Sequence, residues 1–133
     1  MTLKSIQRHY PVPKRAGYRM VEFKLQIEPE DFPVRGNLVC TENDALDTLY
    51  EDEVIERIES GDNWAWCCVH VTAQIPGIAL TGDAYLGGCT YDNESQFRES
   101  AYFEDMMNEA LEDLLIQLKA ASLAYTELKE QLK

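Results

Sequence analysis

Residues 63–91 carry one formal charge, Asp83, in a chain whose neighbouring stretches are crowded with acids. A run of that length with almost no charge belongs inside a fold, so the molecule must be organised around it. The charge on either side is segregated. Residues 1–27 sum to +5, residues 28–62 to -10, residues 92–118 to -7 and residues 119–133 to +1, within a total of -12. Two acidic segments flanking a neutral middle predict a folded core that displays negative surface to a basic partner.

The 133 residues have the length of a single domain, residues 1–133, able to bury a core without disulfides or metals. Two Trp, seven Tyr and four Phe supply that core and argue against a disordered acidic tail. No window approaches a membrane span, and the first residues, MTLKSIQRHY, lack the apolar run of a signal peptide. A cytoplasmic protein is expected, with no membrane partner. Four cysteines, Cys40, Cys67, Cys68 and Cys89, fit that compartment as free, buried thiols.

Hydrophobic periodicity divides the chain. Residues 1–16, with Pro11, Pro13 and four cations, read as an irregular basic arm, either a loosely ordered terminus or a segment that packs on the acidic surface. In YRMVEFKLQIE, Val21, Phe23, Leu25 and Ile27 alternate with Glu22, Lys24, Gln26 and Glu28, the signature of a strand with one wet face. A short extended piece is expected around Leu38 to Cys40. Residues 41–60 predict a helix capped by Thr41, stopped by Gly61, with Leu46, Leu49, Tyr50, Val54, Ile55 and Ile58 as its apolar face. WAWCCVHVTAQI, residues 64–75, reads as a central strand with Trp64, Trp66, Cys68 and His70 on one side. Ile78 to Thr81 and Tyr85 to Tyr91 follow as one bent strand or two short ones, broken at Gly82 and Asp83 and again at Gly87 and Gly88.

Residues 93–132 read as helix, with Asn93 or Ser95 at its start and an irregularity near Ser100. From Met107 the apolar residues recur as Met107, Leu111, Leu114, Leu118, Ala121, Tyr125, Leu128 and Leu132, alternating steps of four and three. A helix of that extent is about 48 Å long, against a domain width of about 30 Å, so its end should project or meet a partner. The fold class is therefore α+β: a three- or four-stranded, mainly antiparallel sheet with one mid-chain helix and one long C-terminal helix.

Catalytic patterns are scarce. There is no phosphate-binding loop, no dinucleotide fingerprint and no HExxH. A Cys-His nucleophile would have to use Cys68 or Cys89 with His70, residues that also form the only conceivable zinc set, and both arrangements lack the remaining partners. Helical acid pairs facing water rarely hold Mg²⁺, so no cofactor and no metal are expected. Direct nucleic-acid binding is disfavoured because residues 28–133 sum to -17.

WAWCCVHVTA, then YLGGCTY, a Phe and the acidic helix YFEDMMNEALEDL, together covering roughly residues 62–115, resemble small accessory proteins of bacteriophages and other mobile elements. The resemblance implies a bacterial, phage-linked setting and assigns no residue a role. With it, the leading expectation is a non-enzymatic inhibitor of a host nucleic-acid-binding defence system, of anti-CRISPR or anti-restriction type, whose carboxylates imitate phosphates. The residues expected to meet a basic protein surface are Asp44, Asp47, Glu51, Asp52, Glu56 and Glu59, then Glu104, Asp105, Glu109, Glu112 and Asp113. The alternatives are a homodimeric accessory protein joined through Met107, Leu111, Leu114, Leu118, Tyr125, Leu128 and Leu132, with acids serving solubility alone, and a small hydrolase using Cys68 or Cys89.

Overall fold

A computed structural model of the chain describes residues 8–11, as backbone only, together with residues 20–38 and 41–133. The fold is α+β. Four strands, β1 (Arg8–Pro11), β2 (Glu22–Pro29), β3 (Cys67–Gln74) and β4 (Thr81–Cys89), form one antiparallel sheet in sequential order. Helix α1 (Asp44–Glu59) is inserted between β2 and β3, and α2 (Glu94–Arg98) and α3 (Ala101–Gln131) follow the sheet.

Alternation decides which face is core. Phe23, Leu25 and Ile27 of β2 lie beside Val69, Val71 and Ala73 of β3, and all six are buried. Helix α3 covers this face with Phe103, Met106, Met107, Ala110 and Leu114. Burying a side chain of this size is worth roughly 1.5–3 kcal/mol, enough for four large ones to fix the helix in place. The opposite face, bearing Glu22, Lys24 and Gln26 on β2 and Cys68, His70 and Thr72 on β3, has no described helix packed on it.

Helix α3 reaches the sheet at Gly82. A Cβ there would run into the carbonyl oxygen of Ala110 and lie 2.8 Å from Leu114 Cβ. Gly82 therefore does not break the strand; it lets a helix backbone press against it. β4 is one nine-residue strand. Its irregularity comes later, where Val69 pairs with Leu86 but Cys67 pairs with Cys89, so β4 holds one extra residue. Gly88, at φ 63°, takes up the turn of that bulge, and its N–H donates to Glu30 Oε2 at 2.6 Å.

Several expectations are corrected. Arg8–Pro11 is no loose arm but the outer strand, pairing with β2 from Arg8–Ile27 to Pro11–Lys24; the rest of residues 1–16 lies outside the described residues. Pro11 is tolerated at the end of an edge strand. Leu38 sits in a bend, and Val39 and Cys40 lie outside the described residues. Residues 64–66 precede the strand, so the two tryptophans diverge. Trp64 stacks on Phe97 at 5.7 Å in the main core. Trp66 joins Val34, Val54 and Ala65 in a second cluster and donates its Nε1–H to Phe32 O at 2.9 Å.

The N-cap of α1 is Asn43, whose Oδ1 accepts the Leu46 N–H at 3.1 Å; Thr41 sits two residues earlier and accepts the Asn43 N–H instead. Leu46, Leu49 and Tyr50 are exposed, because the apolar contact of α1 with the described body runs through Val54, Ile55 and Ile58 in its C-terminal half. The break near Ser100 is real. Asn93 caps α2, accepting from Gln96 N–H at 2.9 Å, and Ser100 separates α2 from α3.

Candidate functional site

The acidic surface is built on α1, which two arginines hold. Arg35, in the loop before the helix, pairs with Asp52 and lies 3.6 Å from Glu51. Glu51 is 7% exposed and accepts the Gly36 N–H at 2.7 Å. At the other end Arg57 donates to Asp62 at 2.8 Å and to the Tyr91 carbonyl at 2.6 Å, tying the helix to the loop after β4. Gly61, at φ 91°, ends the helix by donating to Ile58 O, a conformation with little penalty only for glycine.

These ties consume the local cations. Arg98 is likewise held by Glu94, and Lys133 by Glu130. Glu42, Asp44, Glu53, Glu56 and Glu59 are exposed and take no cation from the described residues. Glu53, Glu56 and Asp92 line a groove of about 500 Å³ between the C-terminal half of α1 and the loop before α2, with Arg57 and Ser60 completing the wall. Like charges in one groove repel each other, and the ties through Arg35 and Arg57 hold the helix that carries them in place.

The acids singled out from sequence divide accordingly. Asp44, Glu56 and Glu59 are exposed on α1. Asp47 accepts from the Thr41 hydroxyl at 2.6 Å and from its N–H, Glu51 is buried, and Asp52 pairs with Arg35, so these three hold the helix. On α3, Glu104, Asp105, Glu109 and Glu112 are exposed; Asp105, Glu109 and Glu112 share one face by their steps of four and three. Asp113 is occupied at the sheet edge, accepting the Asp83 N–H at 2.9 Å, while Gln117 donates to Thr81 O at 2.7 Å. Along the seam, Met107 and Leu114 are buried in the chain's own core, with Leu111 and Leu118 packed against it. From residue 119 onward every residue is exposed, including Tyr125, Leu128 and Leu132.

A polar constellation missed in the sequence occupies the sheet face opposite the main core. His70 Nε2 lies 2.6 Å from Asp83 Oδ1, Thr72 donates to the same oxygen at 3.3 Å, and the Tyr85 ring stacks on the imidazole at 4.1 Å. The signal was present: Asp83 is the one charge in the neutral run, and a lone charge between strands needs a partner. Its neighbours satisfy it, and no pocket opens onto it among the described cavities.

The thiols are placed against nucleophilic use. Burial pushes the Cys67 thiol up strongly, the Cys89 thiol up to about 11, and the half-buried Cys68 thiol up as well. Thiolate, the reactive form, is scarce at neutral pH for such groups. Cys89 pairs with Cys67 on the core side, whereas His70 is on the opposite face, so Cys68, His70 and Cys89 do not converge on one ion. Among the described residues no helix is long and apolar enough to cross a membrane. Comparison with known proteins gave no match to any family model, curated protein or solved structure.

Proposed function

We propose that this is a non-enzymatic protein that binds a basic protein surface through the outer face of α1 and the adjoining acidic groove. One observation carries the reading: the arginines of this region, Arg57 in the groove wall included, are tied to other groups, which leaves Glu53, Glu56, Glu59 and Asp92 exposed with no ion pair among the described residues. The partner class that best fits is a nucleic-acid-binding protein. Glu53, Glu56 and Glu59 climb the helix by about 4.5 Å per step, comparable with one phosphate per ~3.4 Å of axis along a DNA strand. Inhibition of a host defence nuclease in a phage setting is the sharpest form of the proposal, and it takes its setting from the sequence resemblance alone.

The test replaces Glu53, Glu56 and Glu59 with Gln and Asp92 with Asn, sparing Asp47, Glu51 and Asp52 because they hold the helix. Immobilised wild-type protein should retain basic proteins from a bacterial lysate at low salt and release them as salt rises. The neutralised variant should melt normally and lose that retention. Equal retention by the two proteins would overturn the proposal.

A second reading is supported by the exposure of residues 119–133: self-association through the free half of α3. It concerns assembly and is compatible with the first. A concentration-dependent mass in sedimentation equilibrium tests it, and a strict monomer removes it.

A further inference from the structure

We infer that two copies of this chain join the free halves of α3 in antiparallel order, which sets their acidic faces at opposite ends of a bivalent particle. The inference rests on the self-association reading above and adds the occupant and its direction.

The surface begins where the core stops. Leu118 is the last seam residue packed against the body, and beyond it Tyr125, Leu128 and Leu132 are 66%, 56% and 78% exposed. Tyr125, Leu128 and Leu132 line an apolar concavity of about 350 Å³ with the stem of Lys129, whose ammonium lies 6.0 Å from the Tyr125 ring centre. Apolar residues continuing the same heptad past the body are the seam of a two-helix contact.

Charge selects the occupant. Residues 119–133 sum to +1, and residues 1–118 therefore to -13. A basic partner is drawn to the acidic body rather than to this segment. A second copy meets like charge over the acidic segments 28–62 and 92–118, whereas along residues 119–133 both helices are nearly neutral.

Charge also selects the direction. In a parallel pair the two bodies lie side by side, within the ~10 Å spacing of packed helices. In an antiparallel pair they are separated along the axis, by about 15 Å between the two Leu118 positions at 1.5 Å per residue, nearly twice the ~8 Å screening length at physiological salt. Packing agrees. The antiparallel register sets Ala121 against Tyr125 of the second copy in its two central layers, a small residue opposite a large one, with Leu118 against Leu128 in the layers outside them. The parallel register stacks Tyr125 on Tyr125 and Ala121 on Ala121, one layer overfull and the next empty.

The experiment combines mass with distance. Wild-type protein should shift from monomer to dimer over roughly 10–200 µM, the weak range of a contact this small. Tyr125→Glu with Leu128→Glu should remain monomeric there with an unchanged melting temperature, since neither residue touches the core. A spin label at Lys133→Cys, in a background with Cys40 and Cys68 changed to Ser, should report about 30 Å between copies, twenty residues of helix rise; a parallel pair would report ~10 Å. A dimer with the short distance overturns the antiparallel order and leaves self-association standing. A wild-type monomer across the range, or a dimer unaffected by the double Glu variant, overturns both.

Discussion

The backbone N–H of Asp83 donates to the carboxylate of Asp113 at 2.9 Å, so β4, the edge strand opposite β1, is finished by a helix. Gln117, one turn on, donates to Thr81 O at 2.7 Å and lies 3.2 Å from the same carboxylate. An exposed strand edge is a template for unwanted pairing, and here two side chains of α3 close part of it. Asp113→Ala leaves that N–H without its charged acceptor and should lower unfolding free energy by about 1–3 kcal/mol. Asp113→Asn, which keeps an oxygen acceptor, should lose less. Urea unfolding of the two variants measures the difference, and equal losses would show that the bond contributes little.

Gly82 and Gly87 make a matched pair. At Gly82 an added methyl meets backbone of α3, which cannot move without lifting the helix off the sheet. At Gly87 it meets Glu30 Oε2 at 3.0 Å, the end of a side chain that can shift by a few tenths of an ångström while adjusting its bond to the Gly88 N–H. Gly82→Ala should cost about 3 kcal/mol or more, Gly87→Ala about 1 kcal/mol or less. Thermal melts of similar midpoint for both would remove the close-approach account of Gly82.

The acids of α1 should separate by role. Glu51→Ala strips a buried acceptor from Gly36 N–H and leaves Arg35 one partner fewer, a loss of about 1–3 kcal/mol. Glu56→Gln and Glu59→Gln remove negative charge from the helix's last turns, where the dipole already disfavours it, and should raise stability by a few tenths, about 0.3 kcal/mol each. Destabilisation by the latter pair would mean that those carboxylates hold structure after all.

Alkaline pH should weaken the fold through the thiols. Burial raises Cys89 from an ordinary 9.0 to about 11, and raises Cys67 as well. The folded state thus prefers the protonated thiols. That stability is complete below about pH 9, where the unfolded thiols are still protonated, and is lost as pH climbs through 9 toward 11. Urea midpoints should decline between pH 8 and pH 10 more steeply in wild type than in the Cys67→Ala, Cys89→Ala double variant. Parallel declines would locate the titration elsewhere.

What could be read from the sequence was what neighbouring residues decide. The alternation of Val21 to Glu28, the Asn93 cap, the interruption at Ser100 and the Met107 to Leu118 half of the heptad seam are local patterns, and each appears in the structure. Partners far apart along the chain were hidden. Arg8–Pro11 has a composition typical of an arm, and only pairing with β2 makes it a strand. Gly82 looks like a breaker until a helix thirty residues later crosses it. The candidate site divides the same way. Asp47, Glu51, Asp52 and Asp113 were legible as acids, but nothing in their immediate surroundings tells a carboxylate that faces water from one that answers Thr41, Gly36, Arg35 or the Asp83 N–H.

The core closes at Leu114 and Leu118, and residues 119–133 contribute nothing to it. Their sequence therefore answers to a different master. A substitution at Leu114 is judged by whether the molecule folds; one at Tyr125 or Leu128 leaves the melting curve untouched and is judged by the company the molecule keeps. Assembly can drift, strengthen or be abandoned over evolutionary time without putting the body at risk, and the two halves of a single unbroken helix can carry separate histories.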